Sequence, residues 1–101
     1  MTVHFTQRQV KTMQAALAQW GEAAQVGQAV EECAELIVAL QKYINRSPQP
    51  GMADKILDEI ADVEMNLAQM RLVLGIDDEA LHQRVVQKFE KLEQYLAKDE
   101  V

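Results

Sequence analysis

The sequence predicts an all-α protein, and two observations lead to that expectation. Apolar residues recur in alternating steps of three and four along most of the chain, which is the spacing of one face of an α-helix. The chain has only two prolines and four glycines, so residues that interrupt helices are few. With 101 residues the chain has room for one core, and we expect a single domain over residues 1–101.

The first two predicted helices lie on either side of Gly21. Helix one is expected over about residues 5–20, with Thr6 or Thr2 as its N-cap and Gly21 beyond its end. Helix two is expected over about residues 23–45. Its predicted apolar row consists of Val26, Val30, Cys33, Ile37, Leu40 and Ile44.

The segment RSPQPG at residues 46–51 predicts a loop, because two prolines remove backbone donors and stop a helix. Helix three follows from about Met52 to Leu74, where Gly75 ends it. Helix four is expected to start at Asp77 or Asp78 and to reach about Ala97. The predicted row of helix three is Ile56, Ile60, Val63, Leu67, Met70 and Leu74, and helix four is expected to bury Leu81, Val85, Phe89, Leu92 and Leu96.

Helices two and three carry matching rows and are joined by a short loop, so they are expected to pack as an antiparallel hairpin. The expected fold is therefore a bundle-like arrangement of four helices. Because a short, purely helical chain builds only a modest core, we expect a homodimer or homotetramer to complete the bundle.

Charge and cysteine content restrict the possible partners. The formal net charge is −6 and the pI is near 4.8, which argues against binding to nucleic acid or to an anionic membrane. A single cysteine rules out an internal disulfide and fits a reducing compartment. With no signal-peptide pattern and no long apolar stretch, the sequence predicts a cytoplasmic protein.

Two pairs of carboxylates stand out from the other acidic residues. Glu32 and Glu35 on helix two, and Glu59 and Asp62 on helix three, are each three residues apart and so are neighbours on a helix surface. Glu59, Asp62 and Asn66 fall on one flank of the row of helix three, whereas Glu32 and Glu35 lie away from the row of helix two. In a hairpin or a dimer, the two pairs could meet across a helix interface.

Converging carboxylates need cations, because mutual repulsion and desolvation both penalise their charge. An all-oxygen ligand set favours magnesium, with manganese as a substitute, over zinc. Magnesium commonly joins carboxylates to a phosphate-bearing ligand, which makes a nucleoside triphosphate site plausible on an acidic protein. The alternative is an ordinary solvated acidic surface. Trp20 is a candidate for stacking on a base or for an interface, and Asn66 for bonding a sugar or remaining on the surface.

The sequence Glu31-Glu32-x-x-Glu35 followed by Glu59-x-x-Asp62 resembles the paired motifs of the MazG-like all-α nucleoside triphosphate pyrophosphohydrolases. The likeness extends over residues 20–92 and is greatest to small single-domain members from bacteria and phages. It implies magnesium-dependent hydrolysis of an NTP or dNTP to the monophosphate and pyrophosphate, a house-cleaning reaction of the nucleotide pool. It also implies a MazG-type helical fold.

The resemblance also implies roles for individual residues. Glu32, Glu35, Glu59 and Asp62 match the metal ligands, and Glu31 matches a residue that activates water or supports a ligand. We therefore expect Glu31 and Glu35 to be catalytic.

On the last helix, Lys88 matches a phosphate-binding residue, and Lys91 is a second candidate. A lysine whose stem covers apolar surface is the alternative for Lys88.

Two other functions stay open. A noncatalytic interaction module could use the same carboxylates to flank an interface or to hold a structural divalent ion. Hydrolysis of phosphoribosyl-ATP is disfavoured, because that branch of the superfamily has a lysine at the position of Gln28 and a histidine at the position of Asn66.

Overall fold

The protein is all-helical over residues 4–46 and 49–99, the part of the chain that this computed structural model describes. Its elements are α1 (Gln7–Trp20), α2 (Glu22–Asn45), α3 (Met52–Leu74) and α4 (Asp78–Asp99), and this part of the chain contains no strand. The prediction of four helices is confirmed, and helix three has the predicted bounds. Thr2, Pro48 and the last two residues lie outside the described part.

A capping box fixes the start of α1. The Thr6 hydroxyl accepts a hydrogen bond from the backbone N–H of Gln9 at 3.1 Å, and the Gln9 side-chain oxygen accepts one from the backbone N–H of Thr6 at 2.8 Å. These two bonds satisfy backbone donors that lack partners within the first helical turn. Of the two threonines considered as N-cap, Thr6 therefore has this role.

Glycines with positive φ mark the ends of α1 and α3. Gly21 adopts φ 86° between α1 and α2, and Gly75 adopts φ 63° after α3, a region that side chains with a Cβ rarely occupy. At Gly75 the backbone N–H groups of Gly75 and Ile76 bond the carbonyl oxygens of Leu72 and Arg71, as in a Schellman motif. The chain therefore leaves α3 in a defined direction.

The main helix interface lies between α2 and α3, and α1 packs against both. A buried amide joins α1 to α3, since Gln69 Nε2 donates to the backbone carbonyl of Met13 at 2.8 Å. Along the described part of the chain, α4 packs against none of the other three helices. The molecule is accordingly elongated, with extents of 52 × 37 × 24 Å.

The predicted row of α2 is wrong about which face of the helix is covered. Val30, Ile37 and Ile44 are 65%, 59% and 72% exposed, whereas the adjacent row, one residue earlier at each step, is buried or half-buried from residue 25 to residue 39. That row contains Gln25, Ala29, Glu32, Leu36 and Ala39. Both rows have helical spacing, and α3 packs on the one that includes two alanines, because small side chains let helix backbones approach closely.

The predicted row of α3 is half correct. Ile56, Val63 and Met70 are half-buried as expected, but Ile60 and Leu67 are 42% and 45% exposed. Their places are taken by polar neighbours one residue earlier, Glu59 and Asn66, which are only 3% and 5% exposed. The interface thus buries polar groups where the pattern predicted aliphatic ones.

The prediction that α4 buries its apolar row is also wrong. The five side chains of that row are between 37% and 60% exposed, because α4 projects from the other helices. The residues are Leu81, Val85, Phe89, Leu92 and Leu96. In the described part of the chain the buried hydrophobic residues are the alanines Ala29, Ala39 and Ala68, so the chain by itself has very little core.

Replacing Thr6 with Ala should lower the free energy of unfolding by about 1 kcal/mol, because the first turn of α1 loses its side-chain cap. Thr12→Ala is the matched control, since Thr12 lies within α1 and alanine is a better helix former there. Urea denaturation of both variants measures the difference. Equal stability of Thr6→Ala and the unmodified chain would contradict the capping role.

Candidate functional site

Three carboxylates meet where α2 packs on α3. Glu32 comes from α2, and Glu59 and Asp62 come from α3; one oxygen from each lies within 4.8 Å of the others. Glu59 and Asp62 are three residues apart and so share one face of α3, while packing of the Ala29–Ala39 face of α2 places Glu32 opposite them. The expectation that carboxylates of the two helices meet is confirmed for these three residues. We call this group the acid cluster.

Burial leaves the acid cluster short of partners. Glu59 is 3% exposed and Glu32 and Asp62 are half-buried. The Oε2 atoms of Glu32 and of Glu59 are both buried without a hydrogen-bond partner. A buried carboxylate oxygen without a donor or a cation is costly, so these two atoms mark a place where a positively charged ligand is needed.

The pKa of the Glu32 carboxyl is raised, mainly because burial desolvates its charge. The charges of Glu35, Asp62 and Glu59 raise it further, and the hydrogen bond that Gln28 Nε2 donates to Glu32 Oε1 at 2.8 Å lowers it. Desolvation of Glu32 and repulsion from its neighbouring carboxylates therefore oppose folding near neutral pH.

One lysine partly neutralises the acid cluster. Lys55 Nζ lies 2.6 Å from Glu59 Oε1, and this hydrogen bond and the Glu59 charge raise the pKa of Lys55. The ammonium group is well placed because Lys55 and Glu59 are four residues apart on α3. Its side chain is 68% exposed, so it leaves the site open to solvent.

Glu31 and Glu35 lie beside the acid cluster rather than within it. Both are exposed residues of α2 that line a cavity of about 440 Å³ next to Glu59. Lys55 and Lys42 line the same cavity. Of the predicted four-carboxylate set, three carboxylates converge, and Glu35 lies at the edge of the adjoining space.

Trp20 and Asn66 line a second cavity of about 560 Å³. Trp20 is 62% exposed, whereas Asn66 is buried and donates from Nδ2 to the backbone carbonyl of Asp62 at 2.8 Å. Gln28, which bonds Glu32, also lines this cavity. Two residues that line the cavity thus bond residues of the acid cluster, Gln28 at the Glu32 carboxylate and Asn66 at the Asp62 backbone.

The structure does not bring Lys88 and Lys91 to the site within one chain. Both are exposed on α4, which packs on none of the other helices over the described residues. Lys91 Nζ lies 5.9 Å from the centre of the Tyr95 ring, an ordinary cation–π contact along one helix.

Sequence reasoning missed three residues that touch or flank the site. Lys55 and Gln28 each stand four residues from a cluster carboxylate on the same helix, and this spacing could have identified them. No spacing in the sequence identifies Lys42 in this way, because its position near Lys55 and Glu59 depends on how α2 packs on α3.

The donor set fits a hard divalent cation. Its ligand atoms are all carboxylate oxygens, the type that magnesium and manganese prefer. A cation there would also satisfy the two unpartnered oxygens of Glu32 and Glu59. The residues present therefore suit a magnesium ion that completes its coordination with water or a phosphate-bearing ligand.

Comparisons with protein-family models, with curated proteins and with solved structures returned no match. Among the described helices, none has the length and apolarity required to cross a membrane.

Glu32→Gln should raise the melting temperature of the protein in EDTA at pH 7, because it removes one charge from the acid cluster. The raised folded-state pKa means that ionised Glu32 opposes folding at neutral pH, and that this penalty disappears as pH falls through the folded-state pKa. Below the ordinary glutamate pKa of about 4.3 the variant should lose its advantage. Glu64→Gln, on an exposed part of α3, is the control. A melting temperature that does not rise at pH 7 would contradict the repulsion.

Proposed function

We propose that this protein is a magnesium-dependent nucleoside triphosphate pyrophosphohydrolase of the MazG-like type. The observation that carries the proposal is the acid cluster, in which Glu32, Glu59 and Asp62 converge and two buried oxygens lack partners. The motif resemblance predicted these three residues, together with Glu35, as metal ligands. The proposed reaction converts an NTP or dNTP to the monophosphate and pyrophosphate in the cytoplasmic nucleotide pool.

We also propose that α2 and α3 form the antiparallel hairpin of a MazG-type fold. Contacts between the two helices support this, because higher positions on α2 meet lower positions on α3. Gln25 shares a cavity with Asn66, Glu32 meets Asp62, and Lys42 shares a cavity with Lys55. This descending order is the expected one for two helices that run in opposite directions.

Magnesium, when bound by Glu32, Glu59 and Asp62, would supply positive charge that neutralises the triphosphate and acidifies a nearby water. Glu35 lies at the rim of the acid cluster and is a fourth candidate ligand. Glu31 and Glu35 are exposed to the adjoining cavity, where either carboxylate can orient water and accept its proton. The water oxygen attacks the α-phosphorus, the bond from that phosphorus to the bridging oxygen breaks, and pyrophosphate leaves.

Lys55 has two parts in this proposal. Without a divalent ion it is the cation that neutralises Glu59. Because its side chain is largely exposed and flexible, the ammonium can turn from Glu59 toward an incoming phosphate.

A noncatalytic interaction module with a structural divalent ion is the second candidate. The exposed apolar row of α4 favours it, because such a row is typical of a helix that packs on a partner. Phosphoribosyl-ATP hydrolysis is the least supported alternative: Gln28 and Asn66 occupy positions where that activity is associated with lysine and histidine, and both amides bond the acid-cluster residues.

Pyrophosphate release should be measured over ribonucleoside and deoxyribonucleoside triphosphates, with magnesium and with EDTA. We expect release with magnesium from at least one nucleotide, and its loss in Asp62→Asn and in Glu59→Gln. Glu64→Gln should retain full activity, since Glu64 is an exposed residue of the same helix. Magnesium should also raise the melting temperature of the unmodified chain but not that of Asp62→Asn.

Absence of pyrophosphate release from every nucleotide, together with a magnesium-dependent rise in melting temperature, would favour the noncatalytic module instead. Release of pyrophosphate from phosphoribosyl-ATP alone would favour the third function. Full activity of Asp62→Asn would refute the assignment of the site.

We further propose that a second copy of this chain covers α4, as a homodimer or within a homotetramer. The exposed rows of α2 and α4 have similar lengths, about 27 Å and 22 Å at about 1.5 Å per residue. Their charges are complementary: residues 84–91 of α4 contain Arg84, Lys88 and Lys91 with one acid, and the exposed charged residues of α2 between positions 31 and 35 are Glu31 and Glu35. Packing of α4 on the α2 of the other copy would bring Lys88 toward Glu31.

Sedimentation analysis should give the mass of a dimer or tetramer at micromolar concentration. Phe89→Glu should shift the mass toward the monomer, because it places a charge within the apolar row of α4. Gln87→Glu adds the same charge on the opposite face of α4 and should leave the mass unchanged. A monomeric unmodified chain would rule out this interface.

A further inference from the structure

The cavity that contains Trp20 has the features of a site for a flat organic ring. Its volume of about 560 Å³ falls within the usual range of about 300–1,000 Å³ for small-molecule sites. Met13 and Met65 supply apolar surface, and the exposed Trp20 indole can cover one ring face. The remaining walls carry side-chain amides, and the donors and acceptors of these amides determine which ring substituents the cavity would recognise.

Three of these amides have a fixed orientation, because each donates to an acceptor. Gln28 Nε2 donates to the Glu32 carboxylate, Asn66 Nδ2 to the Asp62 carbonyl and Gln69 Nε2 to the Met13 carbonyl, each at 2.8 Å. Turning any of these amides over would place its oxygen against another oxygen and replace a hydrogen bond with repulsion. Their NH₂ groups are therefore committed to the protein.

The carbonyl oxygens of the same three amides are left for a ligand. None of them has a hydrogen-bond partner among the described residues. Asn66 and Gln69 are only 5% and 4% exposed, and both residues line the cavity, which is where their unpartnered oxygens can meet a ligand. The cavity is consequently rich in acceptors on an otherwise apolar wall.

We propose that this cavity binds a planar heterocycle that carries an exocyclic amino group, of the kind found in cytosine and adenine. An amino group offers two N–H donors to the free amide oxygens, whereas a keto oxygen at the same position would face them acceptor to acceptor. A site built of buried hydrogen-bonding groups discriminates strongly against a ligand that leaves those groups unpaired.

The place of the cavity suggests what else the ligand carries. Gln28 and Asn66 each bond an acid-cluster residue, so a ligand ring in the cavity lies beside the candidate metal centre. Identification of the ring as the base of a hydrolysed nucleotide rests on the proposed function. Binding of the amino-bearing ring itself does not rest on the proposed function, because that binding depends only on the cavity.

Uncharged nucleosides test the cavity without metal, phosphate or turnover. Trp20 is the single tryptophan, so its emission reports occupancy, and equilibrium dialysis provides a second measurement independent of fluorescence. Cytidine should bind about tenfold more tightly than uridine, and adenosine about tenfold more tightly than inosine, as expected for the loss of a buried hydrogen bond. Each pair differs by an amino group in place of a keto oxygen and, at the adjacent ring nitrogen, by an acceptor in place of an N–H donor.

Gln69→Met and Gln28→Met remove one acceptor each at nearly constant side-chain size, and each should reduce the preference for the amino-bearing member of each pair. Gln69 also holds α1, so Gln28→Met, at an exposed position, decides the matter if Gln69→Met fails to fold. Gln14→Met, on α1 outside this cavity, is the control and should retain the preference.

Equal affinities within both nucleoside pairs, or no nucleoside binding at all, would overturn the inference. A preference that persists unchanged in Gln28→Met would do so too. Pyrophosphate release without any preference for amino-bearing bases would contradict this inference alone, whereas selective binding without pyrophosphate release would contradict the proposed function alone.

Discussion

The packing of α2 on α3 is the constraint on which the rest of the structure depends. Two buried alanines, Ala29 and Ala39, lie on the face of α2 that meets α3, and their small side chains let the helices come close. This close packing buries Glu59 on α3 and brings a carboxylate oxygen of Glu32 within 4.8 Å of a carboxylate oxygen of Glu59. The same interface thus provides most of the tertiary contact in the chain and assembles its most charged group of side chains.

That arrangement costs stability at the interface of α2 and α3. A buried aliphatic residue at position 59 would suit a helix interface better than a carboxylate with an unpartnered oxygen. Lys55 compensates part of the charge, and the Gln28 amide stabilises the ionised form of Glu32. Departures of this kind from good packing are typical of functional sites, where a ligand supplies what the protein lacks.

Burial of hydrophobic side chains within one copy is limited. The described part of the chain fully buries no large side chain, and its buried hydrophobic residues are alanines. Aliphatic rows on α2 and α4 are left partly exposed, so the free energy available from burying them is not used within one copy. The proposed association of copies and the proposed approach of α4 to the acid cluster would both follow from this open arrangement of helices.

Local sequence patterns determined the helices and several of their ends. Steps of three and four specify a helix wherever they occur, and a capping threonine or a glycine with positive φ acts over one turn, so Thr6 and Gly75 could be recognised from neighbouring residues. The spacing of Glu59 and Asp62 likewise placed them on one face of α3.

Only the tertiary structure decided which of two equally periodic rows of α2 is covered, because that choice depends on how closely another helix can approach. The polar row with small residues packs on α3, and the aliphatic row remains exposed. This choice separates Glu32 from Glu35 and places the first in the acid cluster. The spacing of apolar residues along a helix is set by one segment alone. Which face of that helix is buried depends on how a second helix packs against it.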